Sequence, residues 1–227
     1  PKPQNPECLI DKFIIIEYMV STADRKTKIA ADVEAHLARR SEMKVHEKDD
    51  ASEKLITIEF KDGKPLVIVT AKYQGITPQA WGWFQDGVCE NVTKIDKANE
   101  LTCLEDNGDH RICHQKIITP AVASNRSMIQ TMWSDPNFEG KSVWCATSIG
   151  NEELEKKYAK QLGKDVIAIA YTQYTQVEAC EGGVKVVFVL HIDVAGSLPD
   201  FIKTEIGKAQ GKGCDNIVKF IRDNYKA

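Results

Sequence analysis

The sequence contains no apolar run near the roughly 18 residues needed to cross a bilayer. Its most apolar N-terminal piece, FIIIEYMV, is short and interrupted by Glu17. Net charge is nearly absent too, a formal −3 from 30 Lys+Arg and 33 Asp+Glu. No basic surface for nucleic acid is therefore expected. There is no CxxC pair: seven cysteines lie scattered at 8, 89, 103, 113, 145, 180 and 214. An odd count without paired spacing fits reduced, mostly buried thiols of a cytoplasmic protein better than a disulfide framework. No Walker loop, no G-x-G-x-x-G after a strand, no G-x-S-x-G and no HExxH occurs, so the motif-borne nucleotide, hydrolase and zinc-protease sites are not indicated. No repeat and no long Gly/Ser/Pro linker divides the 227 residues. They are read as one domain, long enough to bury a real core, with PKPQNP as a frayed start.

What is present is a periodic pattern. Asp24 to Arg40 carries Ile29, Val33 and Leu37 at spacings of four, which predicts an amphipathic helix. Strand signals come next, at EKLITIEF and KPLVIVTAKY around Asp62-Gly63. In TPQAWGWFQDG, Thr77 is placed to cap a short helix, with Pro78 first and Gly87 ending it. VTKIDKANELTCL and HRICHQKII then flank Asn107-Gly108 as two strand-like runs, a hairpin signature. Further strands are expected at SMIQTMW, SVWCATSI, DVIAIAYTQYTQVEA and VKVVFVLHI. A charged helix is expected between Asn151 and Gly163, with Leu154, Tyr158 and Leu162 on one face. A long C-terminal helix starts at an S-x-x-D capping box, Ser197 to Asp200. This order predicts an α+β fold, an antiparallel sheet with a helix covering its apolar face.

Few side chains suggest chemistry. His191 and Asp193 form an HxD pair sharing one strand face. Without a third partner nearby, they read as a hydrogen-bonded strand end. Cys103, His110, Cys113 and His114 are the one Cys/His grouping, but they lack the short hooks of structural zinc sites. No metal and no cofactor are assigned. Lys156, Lys157, Lys160 and Lys164 read as a solvated helix face, with Glu152, Glu153 and Glu155 diluting any attraction to anionic headgroups. Trp133, Trp144, Tyr171, Tyr174 and Phe188 are core residues or walls of an internal cavity. Strand parity puts Ile167, Ile169, Tyr171 and Gln173 on one face, and Phe188 with Leu190 on a face of another strand.

Two blocks resemble a known family. KIITPAVASNRSMIQTMW is similar to the P-x-x-x-S-N-R-D strand region of StAR-related lipid-transfer (START) domains, with Ser127 in place of the usual acidic residue after Ser124-Asn125-Arg126. EGGVKVVFVLHIDVAGSLPDFI resembles that family's last strand and its Asp-x-x-Gly-x-(Ile/Leu)-Pro turn, matched by Asp193, Gly196, Leu198 and Pro199. The resemblance covers about residues 44–227 and leaves 1–43 as an N-terminal extension and helix.

The resemblance implies a helix-grip fold, a curved antiparallel sheet around a long C-terminal helix with an internal hydrophobic cavity. It implies non-catalytic binding and intermembrane transfer of one lipid by a monomer that meets membrane surfaces transiently. Arg126, Trp144, Tyr171, Phe188, Leu190, Phe201, Ile202 and Ile206 are the ligand-binding candidates it suggests, the last three as the cavity roof. One departure bears on the ligand. Where many members carry an Arg-rich, Trp-Asp segment, this sequence has GVCENVTKID, without Trp or Arg. A phosphate-reading arginine is thus not evident, and a sterol or similar compact lipid is favoured over phospholipid. The competing reading is an enzyme on the same scaffold, a cyclase or hydrolase, with His191, Asp193 or Arg126 pointing into the cavity.

Overall fold

The strands of the described residues form one curved sheet. The structure, a computed structural model, describes residues 22–61, 64–119, 123–138, 140–195, 205, 208–209 and 211–226. The strands are β1 (Lys44–Asp49), β2 (Lys54–Lys61), β3 (Lys64–Gln74), β4 (Asn99–Asp106), β5 (Arg111–Ile117), β6 (Arg126–Phe138), β7 (Lys141–Thr147), β8 (Val166–Ile167), β9 (Ile169–Cys180) and β10 (Gly183–Asp193). Their order is β1-β2-β3-β10-β9-β7-β6-β5-β4, antiparallel throughout, with β8 alone pairing parallel to β6. The last strand in sequence is thus central, hydrogen-bonded to β3 on one side and β9 on the other.

Alternation along β10 shows how the sheet is covered. Val184, Val186, Leu190 and Ile192 are buried on one face, and Val187 and Val189 on the other, the period of two expected of a strand. The first face is gripped by α2 (Pro78–Asp86), α3 (Val88–Ile95) and the C-terminal α6 (Gly213–Asn224). Trp81, Phe84, Val88, Val218 and Ile221 form its core. The second face is covered by α1 (Thr22–Ala38), whose Ile29 and Val33 pack on Ile68, Trp133 and Val189. Burying each such side chain contributes about 1.5–3 kcal/mol. Farther along, α4 (Glu152–Lys157) and α5 (Ala159–Leu162) lay Leu154, Tyr158 and Leu162 over Ile112 and Ile129, the face that their spacing predicts.

Local signals explain several element ends. The Thr77 hydroxyl accepts from the Ala80 amide at 3.1 Å, with Pro78 in the first helical turn. Gly108 takes φ +86° in the β4–β5 hairpin, a backbone state that glycine adopts without penalty. One expectation is corrected: Val92–Ile95 is not strand but the end of α3. Val88, Val92 and Ile95 recur at helical spacing and turn inward, and Asn91 Nδ2 donates to the Phe84 carbonyl at 3.1 Å, joining α3 to α2. The capping box at Ser197–Asp200 and the turn Asp62-Gly63 lie outside the described residues, as does PKPQNP.

A β-bulge has the largest consequence for the site. His191 pairs with Thr172, but Ile192 pairs with Ala170, so β9 carries one extra residue, Tyr171. A bulge reverses the parity of the residues beyond it. Ala168 and Ala170 therefore share the helix-gripped face with Val177 rather than lying opposite it.

Candidate functional site: a cavity under the C-terminal helix

Between the gripped face and helices α2, α3 and α6 lies a cavity of about 160 Å³. Its apolar wall includes Trp81, Phe84, Val88 and Ile217 from the helices, facing Trp144, Phe188 and Leu190 from β7 and β10. Its polar lining is mostly amide. Gln115 on β5, Gln130 on β6 and Gln173 on β9 are buried at 8%, 1% and 9% exposure, on neighbouring inward-facing positions. Gln115 is the hub. Its Oε1 accepts from Gln130 Nε2 and Gln173 Nε2, both at 3.0 Å, and its Nε2 donates to Asn99 Oδ1 at 2.7 Å. Among the described residues, the Oε1 atoms of Gln130 and Gln173 accept no hydrogen bond. A fourth glutamine, Gln85 on α2, is 4% exposed and also lines the cavity.

This cluster is polar without being charged. Among the described lining residues there is no Lys, Arg or His, and the one acidic side chain, Asp96, is exposed with its Oδ1 accepting from the Ala98 amide at 2.9 Å. Cys214 faces the cavity with its thiol pushed up to about 12 by burial, so it stays protonated. The cavity can therefore offer hydrogen-bond donors and acceptors to an uncharged group, and nothing to compensate a phosphate.

Of the sequence candidates, Trp144, Phe188 and Leu190 line the cavity. Tyr171 does not, because the bulge turns it away. Its ring stacks on His191 with centroids 4.8 Å apart, and its hydroxyl accepts from Lys64 Nζ at 2.7 Å. Arg126 does not line it either. Its Nε donates to the Val194 carbonyl at 3.0 Å, Nη2 to Ala195 at 3.3 Å and Nη1 to Ser124. It sews the start of β6 to the chain leaving β10, and burial draws its pKa below the usual guanidinium value. Phe201, Ile202 and Ile206, with Gly196, Leu198 and Pro199 of the turn, lie outside the described residues.

His191 belongs to the α1 side of the sheet, with His36 edge-on at 5.5 Å. Asp193 accepts from the Ala195 amide at 2.8 Å and holds Lys64 at 3.6 Å. It supports a turn in which Ala195 has φ +49°. The HxD pair thus ends a strand, as its isolation in sequence suggests. Of the insert lysines, Lys156 and Lys157 are paired with Glu153 and Glu105.

The expected Cys/His grouping is also corrected. Cys103 and Cys113 face each other across β4 and β5. His110 instead meets Asp109 at 2.7 Å, and His114 meets Ser127 Oγ at 3.1 Å. The third member is Cys89 of α3, with its Sγ 3.7 Å from that of Cys113. The Cys113 thiol draws the pKa of Cys89 down to about 7 against the opposing effect of burial, with Arg111 assisting, while Cys113 itself is pushed up beside Cys89.

Solved structures with the same architecture place this geometry in context. The chain is similar to human STARD10, with 10% identity over 89% of this chain and 80% of that one and a TM-score of 0.68. It is similar to human StAR-related lipid transfer protein 5, with 13% identity, 89% and 99% coverage and a TM-score of 0.69. The fold is the helix grip of START domains. A STAR-related lipid transfer protein from Xanthomonas axonopodis also matches, with 11% identity, 80% and 97% coverage and a TM-score of 0.59. No family model matches the sequence, and no curated protein matches it. Identities this low establish the START fold and leave the ligand to be argued from the cavity. Among the described residues, no helix is long and apolar enough to cross a membrane.

Proposed function

We propose that this START-fold chain binds one hydrophobic lipid in the cavity and carries it between membranes without chemical change. The ligand favoured is compact and uncharged, a sterol or a lipid with a similar hydroxyl or carbonyl head, rather than a phospholipid. The observation that carries this reading is the pairing of an apolar wall with a buried glutamine cluster, with no Lys, Arg or His among the described lining residues. Each buried methylene of a ligand is worth about 0.8 kcal/mol, which lets such a pocket compete with a bilayer. The head then needs only neutral hydrogen bonds, which unsatisfied amide oxygens supply.

The cavity is small for this task. Its volume of about 160 Å³ holds several waters and falls below the roughly 300 Å³ at which ligand pockets usually begin. Uptake therefore requires the wall to yield, and the C-terminal helix or the segment leading to it is the proposed gate. Contact with a membrane surface would favour that opening, and a cytoplasmic monomer suffices for it. The enzyme alternative draws on His191, Asp193 and Arg126, and none of the three lines the cavity.

Lipid extraction and native mass spectrometry of the purified chain, then uptake from liposomes carrying labelled cholesterol or phosphatidylcholine, test this reading. Stoichiometric cholesterol uptake above phosphatidylcholine is expected. Preferential phosphatidylcholine uptake would overturn the neutral-head reading, and no lipid by either route would leave an interaction module with a filled-in cavity.

A further inference from the structure

The cysteine cluster lies apart from the lipid cavity and has a chemistry of its own. We propose that Cys89, Cys103 and Cys113 form a three-thiolate binding site for one thiophilic metal ion of the Zn²⁺ or Cu(I) class. The three come from three elements, α3, β4 and β5, so no spacing motif announces them. All three sulfurs lie within 4.8 Å of one another. An ion bonded to sulfur at about 2.3 Å in a trigonal plane needs sulfurs about 4.0 Å apart, and a tetrahedral one slightly less. The Cys89–Cys113 separation of 3.7 Å already meets that need. Cys103 has only to draw inward from its 3.4 Å contact with the Glu105 carbonyl.

The surroundings suit ligation better than they suit core packing. Cys113 is fully buried, Cys89 half-buried and Cys103 exposed, so the site has a fixed floor and an open mouth through which an ion can enter. A surface groove between α3 and β4, bordered by Thr93 and Lys94, leads to Cys89 and Cys103. Arg111, held by Asp106 at 3.1 Å, lies beside the thiols and offsets the negative charge of a thiolate set. Soft ligands alone, with no histidine and no carboxylate among the three, select for thiophilic ions over Mg²⁺ or Ca²⁺. Three thiolates satisfy Cu(I) in a plane or Zn²⁺ with one further ligand, such as water, at the mouth. An ion there would fasten α3 to the β4–β5 hairpin.

The test uses the full chain, reduced and metal-free, titrated separately with Cd²⁺, Zn²⁺ and Cu(I) against a competing chelator. One ion per chain is expected, with a sulfur-to-cadmium charge-transfer band of three-thiolate intensity in the Cd²⁺ arm. The Zn²⁺ and Cu(I) arms distinguish which ion is held more tightly. Cys103→Ser changes an exposed side chain and should leave the fold intact by circular dichroism. It should weaken binding on the order of 100-fold or more, since even outer-shell partners of metal sites account for 10–100-fold. Cys89→Ser should do the same, and Cys180→Ser, outside the cluster, should not. Binding that survives Cys103→Ser and Cys89→Ser, failure to retain any of the three ions, or a disulfide within the cluster of the freshly purified protein would each overturn the assignment. No lipid enters the assay, so its outcome is independent of the proposed transfer function.

Discussion

Replacing the glutamine hub with a side chain of similar size and no polarity probes stability and ligand choice together. Gln115→Leu removes three hydrogen bonds, two accepted at 3.0 Å and one donated at 2.7 Å. At about 1 kcal/mol net for each, the direct loss is about 3 kcal/mol. Two corrections of opposite sign apply. Gln173 Nε2 and Asn99 Oδ1 lose their partner outright, whereas Gln130 Nε2 keeps Met128 Sδ at 3.0 Å, and each stranded group adds about 1–3 kcal/mol if it stays dry. The cavity alongside has room for water, which restores part of that. The expected cost is therefore at least about 3 kcal/mol in urea unfolding, read as a lower midpoint with an unchanged slope. Cholesterol uptake should fall about tenfold or more, because the amides that remain lose their fixed orientation. A hydrocarbon of similar size without a hydroxyl, squalene for example, should bind the variant no worse than the parent. If Gln115→Leu shifts stability by less than about 0.5 kcal/mol and leaves cholesterol uptake unchanged, the amide cluster is neither a structural hub nor a head-group site, and the reasoning fails.

Other perturbations separate scaffold from site. Arg126→Met strands the carbonyls of Ser124, Val194 and Ala195 and should cost about 3 kcal/mol or more in chemical denaturation. Arg126→Lys should not restore it, since an ammonium lacks the planar fork of the guanidinium; a loss of head-group preference without a loss of stability would contradict this architectural role. Phe188→Ala enlarges the cavity from its half-buried wall and should destabilise by about 2–4 kcal/mol while admitting bulkier lipids in the liposome assay. The Lys26 ammonium, 3.0 Å away, holds the Asp135 carboxyl below its ordinary pKa. A lowered folded value means the stabilisation is present above the unfolded pKa of about 3.9 and is lost as pH falls through the folded one. Asp135→Asn should therefore cost up to about 1 kcal/mol at pH 7 and progressively less as pH falls below about 3.9, as measured by urea midpoints across that range.

Much of this fold is legible without coordinates. The alternation in VKVVFVL, the helical spacing of Ile29, Val33 and Leu37, the Thr77-Pro78 start and the Asn107-Gly108 hairpin each carry their own local cause, and each appears where expected. The features that escape a linear reading are non-local or depend on one residue of register. α3 is legible in principle, since Val88, Val92 and Ile95 fit a helix, but the β-branched run beside a hairpin signal suggests strand. Unbroken alternation places Tyr171 with Gln173, and a single bulged residue moves it to the other face. Cys89 cannot be joined to Cys103 and Cys113 from spacing, because only the docking of α3 on β4 brings it there. The glutamines do carry a usable signal: Gln130 occupies the same parity as Met128 and Met132, a polar residue on an apolar strand face. Burial of such a residue calls for partners, and the partners define the polar lining of the cavity.

The way the C-terminal helix is fastened limits how the proposed gate can work. Asp215 in the first turn of α6 accepts from the Tyr73 hydroxyl at 2.7 Å and from Lys54 at 2.5 Å. Burial works against the Lys54 charge, yet hydrogen bonds to Asp215 and Glu47 raise its pKa overall, so the link persists across the neutral range. Farther along, Arg222 donates to the Gln74 carbonyl at 2.9 Å, and Phe220 stacks on Trp83 at 6.1 Å. Lifting all of α6 would break these contacts together and expose Val218 and Ile221, at about 1.5–3 kcal/mol for each buried side chain. At Gly211 the backbone approaches Ile56 of β2 so closely that a Cβ would lie 3.0 Å from its Cγ2. Ala209 and Gly213 line the cavity on either side of this point. A metal ion at Cys89, Cys103 and Cys113 would hold the α3 wall against β4–β5 at the same time. Both constraints make lifting α6 or displacing α3 a costly way to enlarge the cavity.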